Sequence, residues 1–359
     1  MFSIELLAAD YGEALLVSWG DRTRPHRLLV DAGTPGTGDR VVARLRELSE
    51  PIDLLIVTHV DCDHIGGILP LLDDPQLPAR IHAVWFNGFR QLELASDMEG
   101  ILDGERLSKR LTELEISWNP GWTPAVSPTQ GGPVVRRHGQ PPPVVRLGGQ
   151  AKLTVLSPLA QNLTALLPEW RTTIKKAGLV EGEAPQHDKP EPALDMLGGS
   201  LEDLASLPSK RDNSTANGSS IAVLFEYRGR RLLLGADAFP DVLAEGIREL
   251  APTGQPFRVD ACKVPHHGSA YNVSRDLVAA LDCPVWLFST SGNRFHHPHS
   301  QSLARVIVGA PAGRRPVLVG NYASTEWTRF ASDYPPSDHS YDLQLPVASK
   351  SGAVWTLIA

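Results

Sequence analysis

The stretch Asp53-Leu54-Leu55-Ile56-Val57-Thr58-His59-Val60-Asp61-Cys62-Asp63-His64 decides how this chain is read. Asp53–Thr58 is a nearly unbroken apolar run, the pattern of a central strand covered on both faces. His59, Asp61, Asp63 and His64 crowd into the short piece that follows. Imidazole and carboxylate groups are the ordinary ligands of divalent transition metals. Alternate residues of a short extended segment face one way, so His59, Asp61 and Asp63 are set to converge, with His64 opening the helix beside them. Open α/β sheets gather ligands at the C-terminal ends of their strands, which is where this segment falls. The bland alternative is a solvated acidic turn, and the buried strand just before it weighs against that. Cys62 points away from the convergence by the same alternation and is expected to be a packed core thiol rather than a catalyst.

Working outward, the sequence alternates strand and helix signals on both sides. Phe2–Ala8, Ala14–Trp19 and Arg27–Val30 form short apolar runs, punctuated by Gly12 and Gly20-Asp21 as turns. Asp39–Leu48 carries apolar residues at Val41, Val42, Leu45 and Leu48, a helical period. Ile81–Phe86 is a further strand. Residues 88–215 are less regular, with one helix expected over Met98–Leu114, a strand over Lys152–Ser157, and a polar, Pro-bearing surface-loop region with short helices from Pro168 to Arg211. Order returns with a hairpin, Ile221–Tyr227 and Arg231–Gly235, followed by Asp237. Helices are expected over Asp241–Leu250, Ser274–Leu281 (with Ser274 as N-cap) and Gln301–Gly309. Strands are expected over Arg258–Val264, Val285–Ser289, Arg315–Val319 and Gly352–Ile358. This order describes an α/β chain with an N-terminal half over residues 1–86, an irregular insertion over 88–215 and a C-terminal half over 217–359.

Thr58–Gly67 resembles the signature loop of metallo-β-lactamase-fold hydrolases, His-x-His-x-Asp-His, with Asp61 in place of the second His. That departure, in turn, is similar to the hydrolase domain of ComEC-type competence proteins. Asp10-Tyr11-Gly12-Glu13, the run Leu28–Gly33 ending in Asp31, Leu232–Ala238 with Asp237, Lys263–Ser269, and Asn293–His299 resemble further motifs of the same subgroup, in the same order. In Leu232–Ala238 the match is looser, because Ala236 separates Gly235 from the Asp. The resemblance covers roughly Met1–Phe86 and Asn217–Ala310.

It implies a four-layer αββα sandwich holding two divalent metal ions, zinc or manganese, that activate a hydroxide. One metal takes His59 and Asp61, the other Asp63 and His64, with Asp237 bridging. A histidine of the His266-His267 pair completes the second position, and either one fits. The family's third-motif His is missing; its place falls in Asp212–Ser220, where Asn217, a Ser or a water takes it over. Fewer histidines and more carboxylate oxygens bring manganese forward. Asp63 doubles as ligand and orienter of the nucleophile. Lys263 is a candidate phosphate contact and His297 a candidate donor to the developing oxyanion.

Composition narrows the setting. The chain has 359 residues, 42% of them hydrophobic, enough for a large core. The formal net charge is -7, unlike a protein that coats nucleic acid nonspecifically. The basic pairs Arg136-Arg137, Lys175-Lys176 and Lys210-Arg211 offer a local phosphate track or an ordinary solvated face. Trp118 and Trp122 offer base stacking or loop packing. His138 and His187 are expected to be solvated. Cys62, Cys262 and Cys283 have no C-x-x-C spacing, which argues against a zinc ribbon or disulfide scaffold and for a reducing cytoplasm. No signal peptide or membrane span is expected.

The leading expectation is a phosphodiesterase, a nuclease or nucleotide hydrolase. One alternative is a lactone, thioester or β-lactam hydrolase of the same fold. Another is a component of a multi-protein bacterial system, such as defence, that acts with a protein partner.

Overall fold

Alternation of side chains along the central strands lets them feed two cores at once. The computed structural model describes residues 1–88, 91, 102–177, 199–347 and 352–359. Its first sheet comprises β1 (Phe2–Leu6), β2 (Leu15–Gly20), β3 (Pro25–Val30), β4 (Leu54–Ile56), β5 (Ala83–Trp85) and β6 (Ser117–Trp118). The second holds β7 (Val144–Arg146), β8 (Lys152–Ser157), β9 (Ala222–Tyr227) and β10 (Arg230–Leu234). A short pair, β11 (Phe257–Arg258) and β13 (Leu281–Asp282), stands apart from it. The second sheet continues through β12 (Ala261–Lys263), β14 (Val285–Phe288), β15 (Val317–Gly320) and β16 (Asp342–Gln344). β17 (Ala353–Ile358) returns to the first sheet and pairs antiparallel with β1. The resulting orders are β17-β1-β2-β3-β4-β5-β6 and β16-β15-β14-β12-β10-β9-β8-β7.

Val17, Leu28 and Ile56 of the first sheet meet Leu153, Val223, Phe225 and Leu234 of the second in the core between the sheets. Their neighbours Leu16, Leu29 and Leu55 face outward onto Val41, Leu45 and Leu71 of the helices Gly38–Arg46 and Ile68–Asp73. Leu224, Leu233 and Trp286 do the same on the other side, against Leu243, Ile247 and Leu303 of Pro240–Leu250 and Ser300–Val308. The architecture is therefore the expected αββα sandwich, with three apolar layers between its four structural ones. Each fully buried Val, Leu or Ile contributes about 1.5–3 kcal/mol over exposure.

The middle region differs from expectation. Its described residues supply β6 to the first sheet and β7 and β8 to the second. A helix, Ala160–Ala177, begins ahead of Pro168 and runs through it into the region expected as loop with short helices. Leu163, Leu166 and Leu167 are buried on it, and that packing outweighs the backbone bond lost at the proline. Helix Leu102–Glu113 matches most of Met98–Leu114, whose first residues lie outside the described ones, as does His187. Strands β6 and β7, helix Thr325–Asp333 and strand β16 are among the elements not foreseen. Among the described residues no helix is long and apolar enough to cross a membrane.

Candidate metal centre

Both halves of the sandwich bring strand ends to one place. β4 ends at Ile56, and Thr58-His59 follows it; Asp61 then precedes a short helix, Cys62–Ile65. From the second sheet, β10 delivers Asp237 and β12 delivers His266 and His267, both with positive φ (47° and 53°). The strained turn aims the two adjacent imidazoles toward a single carboxylate. Their Nε2 atoms lie 3.6 and 3.7 Å from Asp237 Oδ2.

Hydrogen bonds behind the ring atoms fix each tautomer. His64 Nδ1 donates to Asp31 Oδ2 at 2.7 Å. Thr58 Oγ1 donates to the same Asp31 oxygen at 2.7 Å, so it accepts from His59 Nδ1 at 2.9 Å. His267 Nδ1 donates to the carbonyl of Ser289 at 2.8 Å. His266 Nδ1 donates to Asn272 Oδ1 at 2.8 Å, because the Asn272 amide nitrogen is committed to Asp212 Oδ2 at 2.8 Å. All four imidazoles in their neutral form thus present a bare Nε2. Second partners of this kind are what orient histidines for a metal.

The residues fit a divalent cation. His64 Nε2 and His267 Nε2 are 3.2 Å apart, two lone pairs facing each other. Asp237 Oδ2 is 3.4 Å from the first and 3.7 Å from the second. Asp63 Oδ2 is 3.4 Å from His267 Nε2 and 4.0 Å from His64 Nε2. A tetrahedral ion with bonds of about 2.0–2.2 Å sets ligand atoms roughly 3.3–3.6 Å apart, the middle of this range. Beside this group, His59 Nε2 lies 3.4 Å from Asp61 Oδ2, and the ligand atoms of His59, His64 and Asp237 lie within 4.8 Å of one another. Both His59 Nε2 and Asp237 Oδ1 are buried with no hydrogen-bond partner among the described residues. Asp237 Oδ2 thus lies near the histidines of the second group, and its Oδ1 has no hydrogen-bond partner among the described residues.

Electrostatics agree. Burial raises the Asp63 and Asp237 pKa values, but the neighbouring histidines outweigh it and hold both carboxyls below their usual range. Burial lowers the His64 pKa, and Asp237, Asp31 and Asp63 outweigh it to raise it well above the usual value.

Asp212–Ser220, where a third-motif His was missing, packs directly on this centre. The Ile221 amide donates to the Thr58 carbonyl at 3.0 Å, which seats Ser220 next to the His59 strand end. Asn217 Nδ2 donates to Asp212 Oδ2 at 2.9 Å, so its Oδ1 faces the other way. Asn217 Oδ1 and Ser220 Oγ are both buried and have no hydrogen-bond partner among the described residues.

Two expected roles change. Lys263 is fully buried; its ammonium pairs with the buried Glu13 and donates to the Val264 carbonyl at 2.9 Å, so it faces no substrate. Arg136 is likewise buried, between Glu245 and Glu249, and contributes to no surface phosphate track. The Lys175 and Lys176 side chains lie outside the described residues, and Arg211 pairs with Asp241 at the surface. Trp118 is buried and stacks on Phe86, and Trp122 meets Trp85 edge-on, so this pair packs a loop. His138 is exposed and bonded to Glu245. His297 is buried, 5.4 Å ring to ring from His266 and 6.3 Å from His267. Burial, and then His266 and His267, push its pKa well down, so it is neutral.

Cys62 also departs from expectation. It is partly exposed, while Cys262 and Cys283 are the core thiols. Burial pushes the Cys262 thiol up to about 12 and Cys283 well above its ordinary value. In a native thiol titration with a disulfide reagent, Cys62 is expected to react within minutes and the other two only on unfolding. Three fast thiols would contradict this placement.

Thr58, Asp212, Asn272 and Ser289, which hold the imidazoles, went unnoticed in the sequence. Thr58 had a signal in its position next to His59; the others sit in loops whose approach depends on the fold.

Residues 23–141 match the family described as the metallo-beta-lactamase superfamily. A stretch of 97 residues is 29% identical to ComE operon protein 3 of Bacillus subtilis (strain 168), covering 27% of this chain and 12% of that protein. Among solved structures, the chain is similar to a variant of the CmlA beta-hydroxylase (14% identity, 99% of this chain and 54% of that one, TM-score 0.42). It is also similar to a diphosphatase from the PhnP family (13% identity, 100% and 98%, TM-score 0.38). A third is zinc-bound PqqB from Methylobacterium extorquens (10% identity, 99% and 100%, TM-score 0.41). The match to the metallo-beta-lactamase superfamily lies over residues 23–141, and His59, Asp61, Asp63 and His64 fall within it.

Proposed function

We propose that the chain is a two-metal hydrolase of phosphodiesters, acting on DNA or nucleotides. The observation that carries this is Asp237, buried with His59 and His64 in a group of possible metal-ligating side chains, with Oδ2 near His64, His266 and His267 and Oδ1 without a hydrogen-bond partner among the described residues. His64, His267 and Asp63 share the second position with it; His59 and Asp61 share the first. An oxygen of Asn217 or Ser220 completes the first position. Divalent cations held there supply Lewis acidity, lowering the pKa of water and drawing charge from an ester oxygen.

The donor set supports phosphodiesters over lactams. With Asp61 in place of a second His and amide or hydroxyl oxygens in place of a third, the first position is rich in hard ligands. Such ligands suit manganese or magnesium, the usual company of phosphoryl oxygens. Asp63 is the least buried of the second group, with its side chain 13% exposed. It orients the attacking water from the open side and accepts its proton. His297, neutral and beside His266, donates to the oxygen on which charge develops.

The test is a panel assay of manganese-loaded protein on single-stranded and double-stranded DNA, RNA and cyclic nucleotides, with a chromogenic cephalosporin and a lactone alongside. Cleavage of a phosphodiester is expected. A panel left uncut, or rapid hydrolysis of the cephalosporin or lactone instead, would overturn the assignment.

A further inference from the structure

Behind the centre, two loops meet on one buried carboxylate, that of Asp212. Its Oδ1 accepts from the Ser214 amide at 2.9 Å, closing a tight turn. Its Oδ2 accepts from two side-chain amides, Asn217 Nδ2 at 2.9 Å and Asn272 Nδ2 at 2.8 Å. Ser214 in turn caps the short helix Thr215–Gly218, its side chain accepting from the Asn217 amide at 3.2 Å. The Asn217 backbone is thus fixed by Ser214 and its side chain by Asp212.

A primary amide has a donor end and an acceptor end of nearly the same shape, and its partners decide which way round it sits. An ionised carboxylate only accepts, so Asp212 takes both amides nitrogen first. Asn272 has a second hold, since its Nδ2 also donates to the carbonyls of Asp237 at 3.3 Å and Ala238 at 3.4 Å. Asn217 has none of that kind. The other atom near its Nδ2 is His266 Nδ1 at 3.4 Å, which gives its proton to Asn272 Oδ1 and cannot accept. The orientation of the Asn217 amide therefore depends on Asp212. With the nitrogen committed, Asn217 Oδ1 is a buried acceptor with no hydrogen-bond partner among the described residues. Buried acceptors are as a rule paired. This one lies on the segment that the Ile221 amide ties to the Thr58 carbonyl at 3.0 Å, next to His59.

We propose that Asp212 is the positioning residue of the first metal position: it holds the Asn217 amide by its nitrogen and so commits the Asn217 oxygen to the cation. This rests on the two-metal reading above and selects Asn217 over Ser220 within it. Asparagine oxygens are ordinary ligands of hard divalent ions when the oxygen is the end presented. The reversed amide would present N–H bonds, which repel a cation. Loss of a partner that orients a metal ligand costs about 10- to 100-fold in metal affinity.

The test compares wild type, Asp212→Ser and Asp212→Ser/Asn217→Asp. Serine is chosen because its hydroxyl can still close the turn onto the Ser214 amide but is too short to hold the Asn217 side chain. The double variant asks about orientation alone, since a carboxylate has oxygen at both ends and needs no partner to turn it. Thermal unfolding of the metal-free proteins establishes that each is folded. Each is then titrated with manganese, counted by elemental analysis and examined by electron paramagnetic resonance, which separates a coupled pair of ions from a single one. Wild type is expected to hold two equivalents with a coupled spectrum. Asp212→Ser is expected to keep one and bind the other about 10- to 100-fold more weakly, with the spectrum of an isolated ion. The double variant is expected to regain the second equivalent and the coupled spectrum. Asp212→Ser that holds both ions as tightly as wild type, or a double variant no better than Asp212→Ser, overturns this inference and leaves the two-metal reading standing. Wild type that saturates at one equivalent or none overturns both.

Discussion

Asp237→Ala is expected to lower turnover by about 10³-fold, in the range seen when one electrostatic stabiliser of an active site is removed, and to release bound metal. Asp237 Oδ2 lies 3.4–3.7 Å from the Nε2 atoms of His64, His266 and His267. Its Oδ1 has no hydrogen-bond partner among the described residues, and the side chain is buried. Its truncation therefore removes a ligand atom from both positions together. Asp237→Asn separates charge from shape: the amide keeps the volume but offers nitrogen on one side and no negative charge. It too is expected to lose metal, as read by elemental analysis after gel filtration. Full metal content and full activity in Asp237→Asn would show that the carboxylate is structural.

The second large effect concerns the pair that replaced an expected substrate contact. Lys263→Met is expected to destabilise the fold by about 3–5 kcal/mol, because it leaves the Glu13 carboxylate buried without its counter-charge. The double variant Lys263→Met/Glu13→Leu is expected to recover most of that loss, since removing both charges removes the desolvation cost with them. Denaturant unfolding at neutral pH reads both. Glu13 also donates its backbone N–H to the Asp63 carbonyl, so the single variant should bind metal more weakly even where it remains folded. A single variant as stable as wild type would mean that Glu13 has another partner or a proton.

These residues show how far the sequence could be read. His59, Asp61, Asp63 and His64 were legible because local spacing after a buried strand is enough to bring them together. Asp237 and the His266-His267 pair were legible through their motifs, and the structure places all of them at one set of strand ends. Lys263 was misread although a signal was present. In β12, Ala261 faces the core between the sheets and Cys262 faces the helix layer, so alternation sends Lys263 inward with Ala261. What alternation could not give was Glu13, 250 positions earlier in the loop between β1 and β2, as its partner. The helix Ala160–Ala177 had a similar fate. Leu163, Leu166 and Leu167 have helical spacing, and Pro168 concealed it. In each case local pattern was readable and contact between the two sheets was not.

A paired metal centre shared across Asp237 is tested most directly by the number of metal equivalents bound per chain. Purified protein, stripped and reloaded with manganese or zinc and then freed of excess, is predicted to hold two equivalents by elemental analysis. Protein that retains none under either loading would contradict the account.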